Sequence, residues 1–280
     1  MVRTVAHTLT EDATTQRPAI AEAAALLPIL QAAGEPALAL QGRAARRNKQ
    51  DGSVVTEADV QAQEIIGERL AIAFPGCPIV GEEDGLDDDP GRGQRWYGDP
   101  IDGTAVYVEG LAHWGPTVCL VDDDGPVVGA LWLPRLGELW FAKRGGGAWH
   151  AKDRLRCEPQ SRVHSSDVLY VPSRFHHVSP FPWPGKTRSL GSTAVHLALV
   201  ATGSASAALV GRYAPWDVAC GLLLVEEAGR VITDPSANPV APMTTPPGPD
   251  GRLTGGQPFL AGDPTTIDYV ARLLGGVQHP

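Results

Sequence analysis

Residues 18–45 are rich in alanine and leucine and predict a helix. The charged stretch RRNKQDGS at 46–53 then reads as a loop with a turn signal. In VTEADVQAQEIIGERLAIAF, the apolar residues Val60, Ile65, Ile66, Leu70 and Ile72 recur near one face, which predicts an amphipathic helix with Thr56 as its cap. PGCPIVGEE reads as a turn, a short buried strand and an acidic strand end. The polar run at 84–94 reads as a solvated loop. Its Asp87, Asp88 and Asp89 lack the spacing and closing glutamate of a helix–loop–helix calcium site.

From 114 to 150 the apolar positions become strand-like, in β-rich runs separated by the hairpin signals DDDG, PRLG and RGGG. Past residue 155 strands and helices alternate: VLYVPS, GSTAVHLALVATG, ASAALVG, WDVACGLLLVEEAG and RVITD. The uncharged run at 191–211 is long, but serines, threonines, glycines and His196 interrupt it, so it predicts a buried helix followed by a strand, not a membrane span. Proline and glycine make 235–258 mostly loop. These changes predict two intimately packed lobes, an N-terminal α+β lobe at 1–155 and a C-terminal α/β lobe at 156–280.

Composition narrows the picture. With 280 residues and 43% hydrophobic content, the chain can bury a large core. A net charge of -9 argues against a general nucleic-acid-binding surface. Cys77, Cys119, Cys157 and Cys220 form no C-x-x-C pair, so reduced, mostly buried thiols in a cytoplasmic protein are expected. MVRTVAHTLTEDATTQ contains acids and lacks an apolar core, so it does not read as a signal peptide. Without a GxxxxGK[ST] loop, an ATP-consuming kinase has no support. The histidines show no metal-ligand spacing, and His176-His177 reads as surface.

The candidate chemistry lies in acids beside element ends. Asp59 closes VTEAD, Glu82 and Glu83 close IVGEE, Asp99 and Asp102 lie in DPIDGT, and Asp217 opens the helix of PWDVACG. Singly, each has an ordinary structural explanation, as a surface turn, a solvated strand end or an N-cap. Together they suit a hard divalent cation, which takes carboxylates, backbone carbonyls and water. A proline-stiffened turn offering two carboxylates and a carbonyl pays its charge repulsion back when a metal joins them.

VTEAD, IVGEED, DPIDGT and WDVACG, in this order and spacing, resemble the inositol monophosphatase family, from about Lys49 to Asp234. GSTAVHLALVATG and VACGLLLVEEAGRVITD also resemble that family's C-terminal half. The resemblance implies a mixed α/β (α+β), layered αβαβα sugar-phosphatase-like fold, with Mg²⁺-dependent, lithium-sensitive hydrolysis of phosphate monoesters by metal-activated water. It implies that Glu82, Asp99 and the Ile101 carbonyl hold one Mg²⁺. Asp99, Asp102 and Asp217 would hold a second, with a third, weaker ion by Glu82. Thr104, with Glu82 or Asp59, would orient and deprotonate the attacking water. The Gly103 and Thr104 amides would hold phosphate oxygens, and Gly191 and Ser192 would face the substrate. The implied partners are a small phosphorylated metabolite and a second copy in a homodimer, with neither nucleic acid nor membrane. Trp132, Trp140 and Trp149 offer apolar surface for that dimer or pack in the core. The competing reading is a catalytically idle member of the fold acting as a binding or assembly protein.

The resemblance thins at the substrate side. After DPIDGT, where most relatives carry asparagine and an aromatic residue, stands Ala105-Val106-Tyr107. Where inositol-specific members place a glutamate before the WD aspartate, counting back from Asp217 gives Val210. Arg212 follows it. If Arg212 lines the pocket, its guanidinium fork suits a second phosphate or a carboxylate better than a neutral polyol.

Overall fold

The structure is a computed structural model that describes residues 12–48, 54–83, 92–177, 180–240 and 258–275. In chain order these form α1 (Asp12–Leu40), β1 (Arg46–Asn48), β2 (Val54–Thr56), α2 (Glu57–Ala73), β3 (Ile79–Gly81), β4 (Arg95–Asp102), α3 (Thr104–Val108), β5 (Gly115–Asp122), β6 (Gly125–Leu133), β7 (Glu138–Lys143), β8 (Gly147–His150) and β9 (Asp153–Leu155). They continue as β10 (Val168–Tyr170), β11 (Lys186–Arg188), α4 (Thr193–Ala201), β12 (Ala207–Val210), α5 (Pro215–Glu227), β13 (Val231–Thr233), β14 (Phe259–Gly262) and α6 (Pro264–Gly275).

Strands β3 to β9 lie side by side in sequence order in one sheet, antiparallel except for the parallel β3–β4 pair. The second sheet runs β11-β10-β12-β14-β13, parallel through β10 and antiparallel at β14. Both faces of the first sheet are covered, and its side chains alternate accordingly. Trp96, Val118, Trp132, Phe141 and Trp149 pack under α1 and α2, whereas Tyr97, Cys119, Leu131 and Trp140 point to the other side. There they meet α4 and α5, which are sandwiched between the two sheets. α6 covers the far face of the second sheet with Ile267 and Val270. The layers are therefore helix, sheet, helix, sheet, helix.

Several local expectations change. The charged stretch after α1 begins as β1, which pairs antiparallel with β2, so residues 46–56 form a hairpin whose tip lies outside the described residues. On α2 the buried stripe is Ala58, Asp59, Ala62, Ile66 and Leu70. Ile72, expected on that face, is 79% exposed because it lies two residues, about 200° around the helix, from the buried Leu70. Trp132, Trp140 and Trp149 are core residues, buried by the alternation just described. His176 and His177 form an exposed 3-10 turn. No helix among the described residues is long and apolar enough to cross a membrane. Asp87 to Asp89 and residues 241–257 lie outside the described residues.

Candidate active site

The DPID segment is strand rather than turn: β4 runs through Asp102. On a regular strand, residues three apart face opposite sides. Here Asp99 pairs with Thr117 and Asp102 with Gly115, so three steps along β4 match two along β5. The extra residue is a bulge at Pro100–Ile101, which re-phases the strand and brings both carboxylates to one side. Gly103 then turns the chain at φ 95 into α3.

Asp217 reaches the same point from α5. It is the third residue of that helix, and its Oδ2 accepts the Ala214 N–H at 2.7 Å, which anchors it at the helix entrance. Carboxylate oxygens of Asp99, Asp102 and Asp217 lie within 4.8 Å of one another. Asp99 and Asp102 are buried. Burial lifts Asp102 from 3.8 to about 6, against the pull of hydrogen bonds from Ser192 and Ala194. Asp99 is pushed well above the ordinary range, first by burial and then by the charges of Glu82, Asp102 and Asp217. The charged groups acting on it are acids, and the Ile101 N–H, donated to Oδ1 at 2.9 Å, favours its charged form. Such a donor set, carboxylate oxygens with a nearby backbone carbonyl, fits a hard divalent cation.

A second group adjoins the cluster. Asp59 accepts both the N–H and the hydroxyl of Thr56 on Oδ2, at 2.8 Å and 2.6 Å, forming a capping box at the start of α2. Its Oδ1 accepts the Thr104 hydroxyl at 3.1 Å, and that hydroxyl also lies 3.2 Å from the Ile101 carbonyl oxygen. Burial raises Asp59, with Glu82 adding to the effect. Glu82 is half-buried, and its charge also raises Asp99 and Asp102. It stands outside the three-carboxylate group but within its field. Its N–H is held on the Gly98 carbonyl at 3.2 Å, and the neighbouring Glu83 N–H on Gln63 Oε1 at 2.7 Å. The structure thus gives Gln63 of α2 a positioning contact that sequence reading missed.

Ser192, expected with Gly191 to face the substrate, supports the cluster. The Ser192 hydroxyl donates to Asp102 Oδ2, and the Ala194 N–H reaches the same oxygen at 2.8 Å. Ser192 also caps α4 by accepting the Val195 N–H at 3.1 Å. An N-cap serine before the apolar run was the available signal, but its bond to an aspartate ninety residues earlier leaves no trace in spacing. Val106 packs directly on this loop. A Cβ added to Gly191, whose φ is +78, would stand 2.2 Å from Val106 Cγ2. The departure at Val106 is met by a van der Waals contact with glycine.

Beside Gly191 and Ser192 opens a cavity of about 150 Å³. Val210 and Arg212 line it, together with Ser173, Ser189 and His196. The structure therefore brings Arg212 to the pocket, while its side chain stays exposed.

Residues 12–249 match the profile of the inositol monophosphatase family. A histidinol-phosphatase of Chlorobaculum parvum is 33% identical over 219 residues, 74% of this chain and 83% of its own length. A fructose-1,6-bisphosphatase/inositol-1-monophosphatase of Aquifex aeolicus is 32% identical over 195 residues, 66% and 74% of the two chains. Among solved structures, a Thermotoga maritima IMPase superposes with a TM-score of 0.77 at 26% identity, covering 89% of this chain and 94% of that one. The extragenic suppressor protein suhB from Bartonella henselae shares the fold, with a TM-score of 0.77 at 23% identity over 91% and 99%. The fold and site thus define a phosphoric monoester hydrolase. The chain belongs to the inositol monophosphatase family.

Proposed function

We infer that the protein is a Mg²⁺-dependent phosphatase that hydrolyses a phosphate monoester of a small metabolite. The observation that carries this reading is the convergence of three carboxylates from β4 and α5 within 4.8 Å, two of them buried among acids. Glu82, Asp99 and the Ile101 carbonyl would hold one ion and Asp99, Asp102 and Asp217 another, with a third near Glu82. When bound, Mg²⁺ supplies charge neutralisation for the phosphate and a lowered pKa for water.

The chain's own groups supply the rest. The N–H groups of Gly103 and Thr104, where the chain turns into α3, would hold phosphate oxygens. The Thr104 hydroxyl would orient the attacking water, and Asp59 or Glu82 would take its proton. The existing Thr104–Asp59 hydrogen bond supports that relay, and the raised basicity of Asp59 suits it to accept a proton. On this reading the site joins two lobes, 1–155 and 156–280, of a cytoplasmic homodimer that lithium inhibits. Light scattering and a Li⁺ titration test the last two properties. No observation favours an idle member of the fold, since every acid of the expected set is present.

The relatives' names, histidinol-phosphatase and fructose-1,6-bisphosphatase/inositol-1-monophosphatase, define the first substrates to try. Phosphate release from a panel of phosphorylated metabolites should appear with Mg²⁺ and vanish with a chelator. Release of no phosphate from any monoester would overturn the reading.

A further inference from the structure

The cavity beside Ser192 is lined by the side chains of Ser173, Ser189, His196 and Arg212, with Val210 on its wall and no carboxylate among its lining residues. A neutral polyol presents hydroxyl hydrogens as well as lone pairs, and a site built for it supplies strong acceptors. Here the charged and ring groups only donate. Arg212 makes no hydrogen bond or ion pair among the described residues, although five N–H donors are available to it. His196 is buried, at 6% exposure, and stacks on Tyr170 with ring centroids 4.6 Å apart. Its Nε2 accepts the Leu190 N–H at 2.8 Å, so that nitrogen carries no proton. Burial lowers the imidazole pKa to about 4, so the ring is neutral and its single proton sits on Nδ1. That Nδ1–H is a second donor, and no protein acceptor is found for it among the described residues.

We propose that this cavity binds a second oxyanion of the substrate, a carboxylate or phosphate carried on the leaving alcohol, through the Arg212 guanidinium and the His196 Nδ1–H. The proposal rests on the phosphatase reading for its direction, because the cavity adjoins the loop that fixes Asp102. It assigns the substrate class: a monoester whose alcohol is itself anionic. Arg212 gives bidentate geometry, and the stacked imidazole is a rigid donor that needs no ordering on binding. The wall formed by Val210 offers a neutral polyol no hydrogen-bond partner.

Three phosphonates that cannot be hydrolysed test this with Mg²⁺ present, by calorimetric titration of the whole protein. 3,4-Dihydroxybutylphosphonate carries a neutral alcohol end, 2-hydroxy-4-phosphonobutanoate a carboxylate, and butane-1,4-bisphosphonate a second phosphonate. At least one anionic probe should bind about tenfold or more tightly than the neutral one, and the tighter of the two identifies the preferred oxyanion. The affinity ratio should fall close to one in Arg212→Met, which keeps the aliphatic stem, and recover in part in Arg212→Lys. A wild-type ratio near one overturns the proposal, as does a ratio that Arg212→Met leaves intact. The preference with no phosphate release from any monoester would sustain the anion site and overturn the phosphatase reading. Phosphate release with a ratio near one would overturn the anion site alone.

Discussion

Asp99→Asn separates the electrostatics of the site from its packing. Asparagine keeps the shape, and its Oδ1 can still accept the Ile101 N–H. What disappears is a buried carboxyl whose affinity for a proton is well above normal. The sign follows from proton counting. Folded protein holds the Asp99 proton more tightly than the unfolded chain, which releases it above the ordinary pKa of 3.8. Wild-type metal-free protein therefore loses stability as pH rises through and beyond that value. The slope is at most about 1.4 kcal/mol per pH unit. The metal-free variant should then be more stable than wild type at pH 7, by about 1 kcal/mol or more, a Tm rise of about 2 °C or more. The gap should shrink towards zero near pH 4. Saturating Mg²⁺ should stabilise wild type, by about 2.7 kcal/mol at a hundred times its Kd, and should do far less for the variant. Calorimetric Tm values at several pH values, with and without MgCl₂, read all of this. A variant no more stable than wild type without metal, or one that keeps the wild-type Mg²⁺ shift, would refute the reasoning.

Three further variants probe neighbouring contacts. Thr104→Ala should lower kcat by about 10²-fold or more with little change in Mg²⁺ affinity, because its hydroxyl faces Asp59 and is not counted as a metal ligand; steady-state kinetics over a Mg²⁺ series check this. Ser192→Ala removes a donor that holds down the Asp102 pKa, so that pKa should climb above about 6. Mg²⁺ should then bind more weakly at neutral pH, and the acid limb of the kcat/KM profile should move to higher pH. Gly191→Ala should cost more than about 2 kcal/mol in urea unfolding, since its Cβ would stand 2.2 Å from Val106 Cγ2. Adding Val106→Ala should return the steric part and leave about 1 kcal/mol or more of positive-φ strain.

The acids were legible because their chemistry is carried by residue type and order. What spacing hid was how they meet. DPID reads as a turn because proline and two aspartates are turn residues, yet the segment is strand, re-phased by a bulge that only the β5 pairing reveals. The 114–150 hairpins were legible from their glycine and aspartate turns, and the 191–211 run resolved into α4 and β12 as its interruptions suggested. The β1–β2 hairpin was not, since an arginine-rich strand on a small sheet carries no apolar alternation. Ile72 misled because a side chain two residues past Leu70 points to nearly the opposite side of the helix, while packing resumes at Phe74, whose ring meets Trp96. The cavity assembles Ser173, Ser189, His196 and Arg212 from four separate segments, and only tertiary packing aligns them.

The central claim is that the Asp99–Asp102–Asp217 cluster is a divalent-metal site that holds the phosphate to be cleaved. Crystals soaked in Mn²⁺ and inorganic phosphate, measured at the manganese absorption edge, test it most directly. The account predicts an anomalous peak bounded by those three carboxylates, with phosphate beside it against Gly103 and Thr104. Protein that releases phosphate in the presence of Mn²⁺ but shows no peak between these aspartates, or places the metal elsewhere, would contradict it.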